Sequence, residues 1–280
     1  ILRGLVGSEM CIRDRDHLET HLTGNTKIVS LVGESNISGM LPDIKRISEL
    51  IKNKTDALFI LDGAQLVPHR EIDVQDLGID FLCVSGHKML GPTGIGVMWG
   101  RKELLEKMDP VYGGGDMIEE VYYDKATWAP IPHKFEAGTP PYVEAIGLGA
   151  AVDYLSDLTM AKVQKHSDNL RMYAKNILEN IDGLNIIHTD SANAGCTFAM
   201  SVDGVHATDI SLMLDTYGVA VRAGHHCVQP FHRKLNIDAT FRATGYIYND
   251  EKDFDTLANS IEESLKTVSY THLRAHETSQ

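Results

Sequence analysis

Short apolar runs that stop abruptly do most to limit how this chain can fold. Residues 57–61 end at Asp62, residues 81–84 end at Ser85, and residues 95–99 form a third run. Apolar runs without polar alternation mark strands covered on both faces. Residues 27–32 are another β-rich run. Residues 42–54 place Ile44, Ile47, Leu50 and Ile51 at helical spacing, with Pro42 near the start, where its missing N–H is harmless. Apolar strands alternating with helices predict an α/β domain built on a parallel or mixed sheet. Ligands in such open sheets collect beyond the carboxyl ends of the strands. Asp62 and residues 85–88 both fall at such ends, so a site is expected there.

The pattern changes near Ala150. Residues 161–181 read as a long helix, with Val163, Leu170, Tyr173, Ile177 and Leu178 near one stripe. Strands are expected at 185–188 and 197–202, a helix at 209–215, and a strand at 219–222 leading into a cysteine-bearing loop. Residues 251–265 are expected to form the last helix. The expected organisation is part of a larger α/β domain over 16–150 and a smaller α+β domain over 151–267.

The two ends are expected to be foreign to this fold. Residues 4–14 read GLVGSEMCIRD and residues 268–278 read VSYTHLRAHET. The core of the first can be encoded as GGC TCG GAG ATG TGT ATA AGA GAC. Its reverse complement, GTC TCT TAT ACA CAT CTC CGA GCC, encodes the start of the second. Both strings resemble the transposase adapter used to build sequencing libraries. Residues 1–15 and 268–280 are therefore excluded from fold reasoning as non-native.

Composition narrows the class. A 43% hydrophobic content over 280 residues is ample for a globular core. The net charge of −13 argues against non-specific binding to nucleic acid or anionic lipid. No apolar run approaches a membrane span. Of the four cysteines, Cys11 lies in the suspected adapter, and Cys83, Cys196 and Cys227 lack CxxC spacing. Reduced thiols in a cytoplasmic protein fit this better than a disulfide framework.

Several motifs follow one another in a specific order: DGAQ at 62–65, SGHKMLGPTGIGV at 85–97, GGGD at 113–116, EAGTP at 136–140, RAGHHCVQP at 222–230 and TFRAT at 240–244. Over residues 26–267 this series resembles the SufS-type cysteine desulfurases, pyridoxal 5′-phosphate enzymes of the class V aminotransferase family. The resemblance implies the fold type I of PLP-dependent transferases and a chain that begins inside the family's first domain. The side chain that stacks on the cofactor ring and part of the phosphate-binding backbone would lie upstream. A chain so placed is expected to be poorly soluble or inactive by itself.

The same resemblance implies a role for each motif. Lys88 would hold the cofactor aldehyde, a task that needs an unprotonated amine. Asp62 would keep the pyridine nitrogen protonated so that the ring accepts electrons. Gln65 and Asn36 would approach the ring hydroxyl, and Ser85 and His87 the phosphate. Thr139 would reach the phosphate of a neighbouring subunit, which implies a homodimer. Cys227 would attack the sulfur of L-cysteine and keep it as a persulfide, leaving L-alanine, in supply of iron–sulfur cluster assembly. Arg242 and Arg222 would bind the substrate, Arg242 through its α-carboxylate. His225 and His226 would act as acid and base or support the loop. The implied protein partner is a sulfur acceptor of the SufE or SufU type. L-selenocysteine is an alternative substrate, and a class V aminotransferase or an inert fragment are alternative readings. Gly245-Tyr246 departs from the usual small-residue wording of the family.

Each residue also has an ordinary structural reading. Lys88 or Arg242 could be a surface cation, and Asp62 a cap at a strand end. Asn36, Gln65, Ser85, His87 and Thr139 could bond within turns. Cys227 could be inert, as Cys83 and Cys196 are taken to be. A metal held by His225, His226 and Cys227 is not expected, because adjacent side chains rarely converge on one ion.

Overall fold

The computed structural model describes residues 18–187 and 193–277, with 268–277 as backbone alone. Strands β1 (Ile28–Val32), β2 (Leu58–Asp62), β3 (Phe81–Ser85) and β4 (Gly96–Gly100) form one sheet in the order β1-β2-β3-β4. The first three run parallel and β4 runs antiparallel to β3. This is the mixed, mostly parallel α/β sheet expected from the apolar runs. Helix α1 (Ile44–Lys54) starts at Asp43, whose side chain accepts from Arg46 N at 3.1 Å, and it buries Ile44, Ile47 and Ile51. These pack with Val29, Leu31, Phe59 and Leu61 of the sheet. Short helices α2 (Val74–Leu77) and α3 (Lys102–Lys107) connect the strands. A hairpin, β5 (Ile118–Val121) with β6 (Ala126–Trp128), stands outside the sheet.

Helix α4 (Tyr142–Leu158) was not expected, and the boundary drawn at 150/151 falls inside it. Its apolar residues are spread around the helix. Leu148, Ala151 and Leu155 are buried while Tyr142, Val143 and Ile146 are exposed, so no stripe marks it. Helix α5 (Met160–Leu178) matches the long helix expected and buries Val163, Leu170, Ala174 and Leu178.

The second sheet is antiparallel: β7 (Leu184–Ile186), β8 (Thr197–Val202), β10 (Thr240–Thr244) and β9 (Arg222–Gly224), in that spatial order. Helices α6 (Ala207–Thr216) and α8 (Glu251–Glu277) cover it with α5 around Leu178, Phe198, Met200, Ile210, Phe241 and Ile261. Helix α7 (Gln229–Leu235) follows the cysteine loop. This is the α+β part expected.

Three expectations are corrected. The strand placed at 219–222 forms at Arg222–Gly224, because Val219 N bonds to Leu214 O at 3.0 Å and Val221 O accepts from Ser211 Oγ at 3.4 Å. Helix α6 thus occupies the backbone that a longer strand would use. The strand placed at 185–188 is Leu184–Ile186, and His188 lies outside the described residues. Helix α8 continues past 265 to Glu277, with no Gly or Pro in the sequence to stop it. The reading of residues 1–15 as adapter lies outside the described residues.

Candidate active site

The carboxyl ends of the parallel strands open on one side and supply the first half of the site. Asp62 closes β2 and is exposed; its Oδ1 accepts from Ala64 N at 2.9 Å, which shapes the turn leading to Gln65. Ser85 closes β3, and its hydroxyl lies 3.0 Å from His87 Nδ1. The chain then winds into a 3₁₀ turn, Gly86–Met89, which presents Lys88. Gly86 N donates to Ile95 O and Gly91 N to Gly86 O, each at 3.0 Å. A Cβ on Gly91 would stand 2.9 Å from Gly86 O and from Leu148 Cδ1, so this turn tolerates no larger residue there. Helix α4 is thereby pressed against the back of the lysine turn.

The second half comes from the antiparallel sheet. Arg222 on β9 sits opposite Arg242 on β10. Between these strands lie His226 and Cys227, both in the left-handed region with φ of 50° and 65°. Two successive non-glycine residues in that region are costly, about 1–3 kcal/mol each, and need external support. His226 provides part of it: it is 2% exposed and its Nε2 lies 3.1 Å from Thr240 O. Val228 N donates to His225 O at 2.9 Å, closing the loop and leaving Cys227 exposed at its tip.

The two halves meet through Asn36, in the loop after β1. Its Nδ2 donates to His226 O at 2.8 Å, and its own carbonyl accepts from Arg242 Nη1. Ile37, fully buried, packs with Ala199, Val228 and Phe231 beneath the cysteine loop. A second tie is Tyr246, whose hydroxyl donates to Pro68 O at 2.9 Å and whose ring meets His69 edge-on at 4.6 Å. Pro68 and His69 belong to the turn that follows Asp62–Gln65. The unusual Gly245 before it is required by packing, since a Cβ there would press on Cys196 Sγ and Leu170 Cδ2 at 2.9 Å.

Charges converge on Lys88. Burial holds its amine below the ordinary lysine value and Arg242 adds to the fall, while Asp62, Cys227 and Glu34 oppose it. Lys88, Asp62, Arg242 and Cys227, drawn from four segments of the chain, therefore share one electrostatic neighbourhood. Burial likewise lowers Arg242, with Arg222 adding and Cys227 opposing. His226 is pushed down to about 4, by burial first and Arg242 second, so it is neutral at ordinary pH and supports the loop. His225 is exposed and meets His232 edge-on at 5.5 Å. Cys196 is buried, and burial pushes its thiol up to about 12; Cys83 is half-buried and raised by burial and by Asp62.

Not every expected residue joins this group. Thr139 is exposed, on a segment fastened by Gly138 N to Gly115 O at 2.9 Å, and no described interaction links it to Lys88. Asn36 uses its side-chain nitrogen on the cysteine loop. Gln65 is half-buried one turn beyond Asp62. Three contributors were not singled out from the sequence: Ile37, His232 and Glu34. His232, 2% exposed, braces the loop through Thr240 Oγ1 at 3.0 Å and Val228 O at 3.2 Å. None carries a local signal, because each acts across the domain joint or inside a core. Among the described residues, no group of His, Cys, Asp and Glu is placed to hold a metal ion, and no helix is long and apolar enough to cross a membrane.

The chain is similar to known proteins over most of its length. Residues 7–257 match the family model described as aminotransferase class-V. A probable cysteine desulfurase of Halalkalibacterium halodurans is 44% identical over 249 residues, which are 89% of this chain and 61% of that protein. A cysteine desulfurase of Haloferax volcanii is 42% identical over 89% of this chain and 58% of its own length. Among solved structures, the cysteine desulfurase CsdA of Escherichia coli superposes with a TM-score of 0.84 at 38% identity, covering 91% of this chain and 63% of that one. An apo cysteine desulfurase of Thermococcus onnurineus NA1 gives 0.88 at 30% identity, covering 94% and 66%. The chain thus spans less than two thirds of the length of these relatives.

Proposed function

The chain belongs to the class-V aminotransferase family, and from that premise we propose that it carries the catalytic residues of a SufS-type cysteine desulfurase dependent on pyridoxal 5′-phosphate. The observation that carries the reading is that Asn36 bonds both Arg242 and the cysteine loop, joining them to the sheet whose strand ends carry Asp62 and the Lys88 turn. Two curated relatives, 44% and 42% identical, are named probable cysteine desulfurase and cysteine desulfurase, which supports the coarser part of this reading.

The residues present fit the cofactor. Burial lowers the Lys88 amine toward the free base that an aldehyde requires. Among the described residues, Arg242 Nε is buried without a hydrogen-bond partner, a donor left over for an anion. Ser85 and His87 offer a hydroxyl and an imidazole at the end of β3 for a phosphate. Asp62, with Gln65 beyond it, would face the ring nitrogen and hydroxyl. Once bound, the cofactor supplies an electron sink for charge developing at the substrate Cα.

The chain's own residues do the rest. Arg242 takes the carboxylate of L-cysteine in a planar, bidentate contact, with Arg222 beside it. Lys88 Nζ removes the Cα proton and returns a proton to Cβ. The Cys227 thiolate attacks the substrate sulfur. An S–S bond forms, the Cβ–S bond breaks, and its electron pair stays with the three-carbon remnant, which leaves as L-alanine after protonation. The persulfide remains on Cys227, exposed for an acceptor protein of the SufE or SufU type.

A homodimer completes the reading, with Thr139 serving the partner's cofactor. Val97 on β4, Val111 and Tyr112, Val121 and Tyr123 at the hairpin, and Tyr142, Val143 and Ile146 on α4 are all exposed. An apolar surface of this extent, on the segments flanking Thr139, suits an interface with a second copy.

Alanine release from L-cysteine, with mass analysis of Cys227, tests the reaction. Cys227→Ala should abolish the persulfide and lower turnover by about 100-fold or more. Undiminished activity would instead place the chain among class V enzymes in which this cysteine has no role.

A further inference from the structure

Glu34 is the most anomalous side chain outside this chemistry. It is 3% exposed, yet its Oε2 has no hydrogen-bond partner among the described residues. A buried unpaired acceptor costs about 1–3 kcal/mol and calls for an explanation. The carboxyl group stands at the joint of the two domains, against Gly195, where a Cβ would collide with Glu34 Oε1. Arg70 Nη2 donates to Asp168 at 2.7 Å, and Arg171 lies over the Phe198 ring with Nη1 toward Gly195 O at 3.5 Å.

From Glu34 the chain enters a loop that the small domain holds along its length. Gly195 N donates to Gly39 O at 2.7 Å, and Leu41 N to Asn193 O at 3.1 Å. Met40 and Ala194 pair as an isolated antiparallel bridge. Ile37 plugs the small-domain core beside Val228, and Asn36 grips both His226 and Arg242. Glu34 is the root of this loop, and the groups assigned to substrate and sulfur hang from its middle.

We infer that Glu34 is a positioning residue: wedged against Gly195, it fixes the root of the loop at 33–40 and so sets where Asn36 places Arg242 and the cysteine loop. The inference rests on the proposed function only in calling those groups a site. Burial pushes the Glu34 carboxyl up to about 8, against the pull of Arg70, Arg171 and Lys88 and with Asp168 adding to the rise. At neutral pH the joint therefore holds mainly an uncharged acid, which acts by shape and polarity rather than by charge. Glutamine shares that shape and is neutral, so it should replace Glu34.

Amide hydrogen exchange of the whole chain, read by mass spectrometry without cofactor or cysteine, tests this. Glu34→Ala should speed exchange on the order of fivefold at 33–40 and also at 224–228 and 240–244, the equivalent of about 1 kcal/mol of lost restraint. Gly195→Ala, which displaces the carboxyl, should do the same, and Glu34→Gln should stay within about twofold of the parent. A rise confined to 33–41 and 193–197, no rise at all, or Glu34→Gln behaving like Glu34→Ala would overturn the inference. If Glu34→Ala does not fold, Glu34→Asp, one methylene shorter, is read by the same criteria. Because no catalysis is measured, failure here is separate from failure of the proposed reaction.

Discussion

The turn that carries Lys88 and the loop that carries Cys227 are held in opposite ways. The hydrogen bonds that secure the lysine turn lie within its own stretch of chain, Gly86 on Ile95 and Gly91 on Gly86, and α4 is pressed behind it. The cysteine loop contains two successive left-handed residues and leans on partners far away in sequence. Asn36 binds it across 190 residues, and Ile37 and Phe231 pack beneath Val228. One support is local and rigid by construction. The other combines supports of its own sheet, His226 and His232 on Thr240, with Asn36 and Ile37 from the loop after β1, so the position of Cys227 depends in part on how the two sheets are joined.

Removing the plug under the cysteine loop should break this contrast most strongly. Ile37→Ala leaves a cavity at a fully buried position and should cost about 2–5 kcal/mol in a urea titration. Exchange should rise at 224–228 and remain unchanged at 86–91; equal loosening of both would show that the supports are not separate. The reverse experiment is Gly91→Ala. Its Cβ would meet Gly86 O and Leu148 Cδ1 at 2.9 Å, so it should cost about 1–3 kcal/mol and disturb the lysine turn and α4 while sparing Cys227.

A smaller, pH-dependent effect sharpens the comparison. His226, in the cysteine loop, has its pKa lowered from 6.5 to about 4. The stability it contributes is present above pH 6.5 and is lost as pH falls toward 4, because the folded loop resists the proton that the unfolded chain accepts. His69, beneath Tyr246, is lowered to about 4 by burial and adds to the same acid-side loss. Glu34 runs the other way: raised from 4.5 to about 8, it contributes stability below pH 4.5 that is lost as pH rises through 8. Melting temperature followed from pH 4 to 9 should fall less on the acid side in His226→Asn and less on the alkaline side in Glu34→Gln. Superimposable curves for all three proteins would refute both assignments.

Much of the lysine half was legible in the order of residues. Apolar runs ending at Asp62 and Ser85 placed those side chains at strand ends, because strand period is a short-range property. Cys227 was legible as a member of a motif, and Gly245-Tyr246 as a departure. The cysteine half was otherwise opaque. Nothing near Asn36 in sequence points to His226 or Arg242, and nothing near Glu34 points to Gly195. Helix α4 was hidden because its apolar residues face both the core and the surface, and the strand at 219–222 was displaced by α6 competing for its backbone. Local pattern and motif wording could mark candidate groups, since their residue types and spacing are written in the chain. Which of them meet, which are neutral and which rest on the other domain depended on packing across the joint, where burial and long-range hydrogen bonds outweigh any local preference.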